Sequence, residues 1–203
     1  MIGRSRNDAG QAFPIYVVMV AGLLFLVFAF FAVGKAAALR NGAQGAADAA
    51  ALAAAQKTRE DFEAPFLASL PEDTLELFLQ GHAVTGCPAA QALAAANQAD
   101  VFGTGCQWIP GGYRDRITVE VKGRKPVNSS VISGSEKTFA KAKATAVVEF
   151  RCPGWKSVDL NHDSIRDVFF FHCDGKLLEI RPSSPPPWSE VSKILYDVHL
   201  VDN

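Results

Sequence analysis

The sequence predicts an α+β chain. An N-terminal transmembrane helix continues into a long Ala-rich helix, and a small disulfide-bonded domain with helices and an antiparallel β-sheet follows. Three observations predict it. No charged residue stands between Asp8 and Lys35. Twelve of the twenty residues from Ala36 to Ala55 are alanine. Beyond Asp100 the apolar spacing changes from helical to alternating, and all four cysteines lie after residue 86. The expected division is a cytoplasmic N-terminus over 1–13, a transmembrane helix over 14–34, an Ala-rich helical stalk over 35–60 and an extracytoplasmic domain over 61–203.

The apolar run from Ile15 to Val33 holds 19 residues without a charge. As a helix it spans roughly 28 Å, close to the hydrocarbon core of a bilayer. Pro14 stands at its start, where a missing N–H costs nothing. Tyr16 falls where an interfacial aromatic is expected. A cleaved signal peptide is the rival reading, and Ala32-Val33-Gly34 is a passable cleavage site. Its apolar core would be shorter, at about 7–15 residues. The net charge of −1 gives no basic excess for nucleic acid. It hides a split: after residue 55 there are 16 basic and 19 acidic side chains.

Arg4 and Arg6 precede the span, while Lys35 and Arg40 follow it, so the positive-inside rule is nearly tied. The cysteines break the tie. Cys87, Cys106, Cys152 and Cys173 are even in number and lack CxxC spacing. Sequential pairing, Cys87–Cys106 and Cys152–Cys173, is one of three connectivities, and each bridge would stabilise the fold by about 3 kcal/mol. Bridges place the domain outside the membrane; four buried thiols would place it in the cytosol.

The stretch from Ala36 to Ala55 favours helix strongly, broken or bent at most near Gly42 and Gly45. Its methyl-covered surface lets another backbone approach closely. The packing face carries Ala43, Ala47, Asp48, Ala51 and Leu52. It suits lateral packing against other helices of an assembly, packing on the chain's own domain, or a solvated spacer.

The domain begins with an amphipathic helix bearing Phe62, Phe66 and Leu67, interrupted by Pro65. Ser69-Leu70-Pro71-Glu72 reads as a capping box opening a helix with Leu75, Phe78 and Leu79. Cys87-Pro88 starts a third helix that ends near Asn97. Strands are expected at Val101 to Ile109, Ile117 to Val121 and Ala144 to Cys152, with a long loop over 123–142. Asp174-Gly175 signals a hairpin between Phe169–Cys173 and Lys176–Ile180. A helical turn over Ser189 to Ile194 precedes a last strand, Tyr196 to Val201.

The sharpest local pattern is Asp159-Leu160-Asn161-His162-Asp163-Ser164-Ile165-Arg166-Asp167. Oxygens from Asp159, Asn161, Asp163 and Asp167, with the carbonyl of Ile165, are what a calcium loop uses. Ser164 replaces the usual glycine, and Phe170 stands where a bidentate glutamate would. The other reading is an acidic turn held by Asx hydrogen bonds. Calcium is the one cofactor the sequence suggests. His82, His162, His172 and His199 have no metal spacing. No GxSxG elbow accompanies Asn128-Ser129-Ser130 or Ser183-Ser184, and Gly103-Thr104-Gly105 lacks the rest of a phosphate loop. No catalytic set is legible. Lys122, Arg124, Lys125, Lys137, Lys141 and Lys143 form a basic cluster suited to wall polymer, lipid headgroups or plain solvation.

Gly10-Gln11-Ala12, the single span and the run Asn41-Gly42-Ala43-Gln44-Gly45-Ala46-Ala47-Asp48-Ala49-Ala50-Ala51-Leu52-Ala53-Ala54-Ala55 resemble the TadE/TadG-like proteins of Tad (Flp) pilus machinery. Cys87-Pro88-Ala89-Ala90, Ala94 to Asn97 and Cys106 resemble them more loosely. The specific likeness covers about the first 55 residues. It implies a non-enzymatic, pilin-like, single-pass component of a pilus assembly or secretion system. The resemblance further implies an outward C-terminal domain, pilus or pilin-like partners met through the N-terminal helix, and an oligomeric assembly. Prepilins are cut after glycine, with glutamate five residues on; here Ile15 takes that place after Gly10, which favours the permanently anchored type. A membrane-anchored binding module for wall or surface partners is the alternative expectation.

Overall fold

The computed structural model describes residues 12–81, 86–127 and 135–202. The expectations for Arg4, Arg6, Gly10, Gln11, His82 and Asn128-Ser129-Ser130 lie outside the described residues.

Helix α1 runs from Ala12 to Asp61, 50 residues, and continues through Gly42 and Gly45. It ends where Pro65 requires. Proline offers no N–H to the carbonyl four residues back, and its ring would strike that carbonyl, which belongs to Asp61. The chain restarts as α2 (Glu63–Ser69), with the Phe66 N–H bonded to the Phe62 carbonyl at 2.9 Å. Helices α3 (Leu75–Gly81) and α4 (Cys87–Ala96) follow. The expected capping box does not form. Ser69 is the last residue of α2, and its hydroxyl donates to the Phe66 carbonyl at 2.7 Å. Thr74 stands before α3 instead, its backbone carbonyl accepting the Phe78 N–H at 2.9 Å and its hydroxyl donating to the Ser69 carbonyl at 3.4 Å.

The strands are β1 (Ala99–Ile109), β2 (Arg114–Pro126), β3 (Phe139–Phe150), β4 (Gly154–Val158), β5 (Val168–Cys173), β6 (Lys176–Ile180) and β7 (Tyr196–Val201). Helix α5 (Trp188–Leu195) runs directly into β7. One sheet has the order β1-β2-β3-β7 and the other β4-β5-β6, and every pairing is antiparallel. The loop expected over 123–142 is shorter than the sequence suggests. Strands β2 and β3 stay paired out to Pro126 and Phe139, a stretch whose polar side chains conceal its alternation. The hairpin at Asp174-Gly175 forms as expected, both residues having the positive φ that a type I′ turn requires (46° and 78°).

The second half of α1 lies on the four-stranded sheet. Ile117, Val119 and Val121 of β2, with Ala144, Ala146 and Val148 of β3, bury the face turned to the helix. Helix α4 packs on α1 as well, through Ala90 and Ala94. Beyond the end of α1 an aromatic cluster joins the remaining parts. Phe62, Phe66, Phe171, Trp188 and Tyr196 pack with ring centroids 5.3–6.4 Å apart. The Trp188 indole N–H also donates to the Arg59 carbonyl at 3.1 Å, satisfying one of the last carbonyls of α1.

Candidate functional site

Two halves of one helix make the candidate site. The first half is bare. From Phe13 to Val33 its large apolar side chains are solvent-exposed, with Phe30 at 76% and Phe31 at 74%. Among the described residues this is the one helix long and apolar enough to cross a membrane. In water so large a contiguous apolar surface would be very costly, so it requires lipid or protein around it.

The second half is covered. Ala46, Ala47, Ala50, Ala51, Ala54 and Ala55 are almost wholly inaccessible. Ala43 is buried too, while Asp48 and Leu52 are half-buried. The surface expected to pack is therefore occupied by this chain's own sheet and by α4, which is the own-domain packing the composition allowed. Alanine makes this possible: a methyl group lets the sheet and α4 lie close on either side of the helix. Gln44 links the helix to the sheet, donating to the Asp48 carboxylate of α1 at 2.8 Å and to the Lys143 carbonyl of β3 at 3.5 Å.

The cysteines pair sequentially. Cys87–Cys106 ties the first turn of α4 to β1, beside the irregularity between Val101 and Cys106. Cys152–Cys173 ties the exit of β3 to the end of β5 and so fastens one sheet to the other. No described cysteine is free.

In the acidic loop the carboxylates turn on their own backbone. Asp159 accepts the N–H groups of His162 (2.6 Å) and Ser164 (2.9 Å). Asn161 accepts from Asp163, Asp163 accepts from Ile165, and Asp167 accepts from Leu160. His162 and Ser164 take positive φ of 64° and 71° to close these turns. Among the described residues no three His, Cys, Asp or Glu side chains gather as a metal-holding group.

The basic cluster acquires an order that spacing alone does not reveal. Lys122 and Lys141 face one another in the β2–β3 register. Lys122 lies over the Phe139 ring, 4.3 Å from its centroid, and Lys141 over Phe102 at 4.4 Å. Arg124 binds Asp100 at 2.6 Å, and this hydrogen bond holds the Asp100 carboxyl below its ordinary range. Knowing the strand pairing would have exposed the opposed lysines.

One buried group fell outside the sequence reading. Tyr196 is fully enclosed, and burial, aided by nearby Asp115, pushes its phenol well above the ordinary value. Among the described residues its hydroxyl has no hydrogen-bond partner.

A fifty-residue helix, bare over its apolar half and built into a disulfide-bonded α+β head over the other, defines a helix-tailed head protein compatible with a single-pass membrane anchor. Its residues 10–57 match the family described as Putative Flp pilus-assembly TadE/G-like. That is the region in which the sequence resembles those proteins. It includes the bare half and most of the covered half of α1. Comparisons with curated proteins and with solved structures give no match.

Proposed function

We propose that this chain is a non-enzymatic, pilin-like, single-pass component of a Tad/Flp-type pilus assembly or secretion apparatus. The first half of α1 lies in the membrane, with the N-terminus cytoplasmic, and the disulfide-bonded head stands outside. One observation carries the reading. The exposed apolar half of α1 is continuous with a helix that forms the core of the head, inside the stretch matched to the Tad family. A rigid helical connection transmits the position of the head directly to the membrane segment. Partner contacts then fall to the bare segment and the outer surface of the head, because the alanine stripe is already filled.

The test is site-specific photo-crosslinking in native membranes from Phe25 and Phe28, both exposed on the apolar half. Crosslinks to identified pilus-system proteins support the role. Crosslinks to lipid alone overturn it.

A further inference from the structure

The basic cluster lies at one end of the head, and α1 identifies that end. Ala38, Leu39, Gly42 and Ala43 line a small cavity together with Gly123, Arg124, Lys125 and Ala140. Further along, Gln44 reaches the carbonyl of Lys143. Strands β2 and β3 thus run toward the apolar half of the helix as they approach Pro126 and Phe139. Val33 lies five residues before Ala38, about 7.5 Å along the axis. That distance is within one Debye length at physiological salt, about 8 Å.

The charge there is predominantly basic. Residues 121–127 and 135–143 contain six basic side chains and the single acid Glu136. The neighbouring acids offset part of this charge: Asp100 binds Arg124 and lies opposite Lys122, and Glu120 lies opposite Lys143 while accepting from Thr104 at 3.2 Å. Lys122 and Lys141 oppose each other directly, a like-charge pairing that destabilises a sheet. Both ammonium groups rest on aromatic rings. A fixed anionic surface would offset the repulsion, and phenylalanine beside lysine suits the boundary between headgroups and acyl chains.

We propose that this rim, Lys122, Arg124, Lys125, Lys137 and Lys141, docks the head on the anionic phospholipid headgroups of the bilayer that holds α1. The inference rests on the membrane reading above. The contact fixes the tilt of the head against the membrane and sets which of its faces meets a neighbour.

The test uses the full chain in nanodiscs of phosphatidylcholine alone or of phosphatidylcholine with phosphatidylglycerol. Lysine acetylation is followed residue by residue by mass spectrometry. An anionic surface at about −30 mV lowers local pH enough to slow amine labelling about threefold. Lys122, Lys125, Lys137 and Lys141 are expected to slow by about that factor in the anionic discs and to recover in high salt. Lys156, Lys176 and Lys193, on β4, β6 and α5, serve as references and stay unchanged. Lys35, two residues past Val33, reports on the span itself. If Lys35 slows and the rim does not, the docking proposal falls and the membrane reading stands. If neither slows, both fall.

Discussion

A Cβ built on Gly86 would stand 1.9 Å from the carbonyl oxygen of Ala54. The backbone entering α4 therefore lies directly on the buried stripe of α1, with the Thr58 hydroxyl 2.7 Å from the same point. Any side chain there must push α4 off the helix. Gly86→Ala is expected to destabilise the head by about 2–3 kcal/mol, as overpacking does. Denaturant melts of the detergent-solubilised chain check this, and an unchanged midpoint would refute the close approach.

Ala47 and Ala51 have no accessible surface, and their neighbours are the chain's own sheet and α4. Arginine at either position would bury a charge without a partner, at a cost of several kcal/mol. Ala47→Arg and Ala51→Arg should unfold the head, seen as rapid proteolysis, whereas Gln56→Arg on the exposed face should leave it resistant. A folded head carrying Ala47→Arg would mean that this face is free after all.

Burial raises the phenol of Tyr196 above its ordinary value of 10.0. The unfolded chain then loses its proton first as pH rises, so the stability linked to this group is intact below about pH 10 and declines above it. Tyr196→Phe should make the alkaline decline less steep. At neutral pH it should change stability by less than about 1 kcal/mol, because the hydroxyl it removes has no partner among the described residues. Urea melts across the alkaline range measure both effects.

Each bridge closes a loop of about twenty residues, so opening one costs about 3 kcal/mol in the chain-entropy account. Cys152→Ser is expected to loosen the three-stranded sheet in particular, since that bridge fastens it to β3. Intact mass should rise by about two protons per bridge on reduction. Hydrogen exchange of Val168 to Ile180 in the variant locates the loosening.

Hydropathy and alternation made much of this fold legible. The charge-free run marked the bare helix, Ile117 to Val121 marked β2, and Asp174-Gly175 marked the β5–β6 hairpin. Other elements left weaker traces. Gly154–Val158 forms a strand through pairing with β5, yet its residues are exposed or half-buried and its sequence shows no apolar face. The outer parts of β2 and β3 read as loop because lysines and a glycine occupy them. The alanine stripe announced close packing without naming the partner, since a methyl surface fits a sheet, a helix or a neighbouring chain equally well. That ambiguity is resolved by connectivity: β2, β3 and α4 all return to the alanine-rich half of α1.

The central claim is that the exposed apolar half of α1 lies in a membrane with the head outside. Protease access to a doubly tagged chain in spheroplasts, followed by alkaline carbonate extraction, tests it most directly. The account predicts that the chain stays in the membrane pellet and that external protease removes the C-terminal tag while sparing the N-terminal one. Release by carbonate, or loss of the N-terminal tag alone, would contradict it.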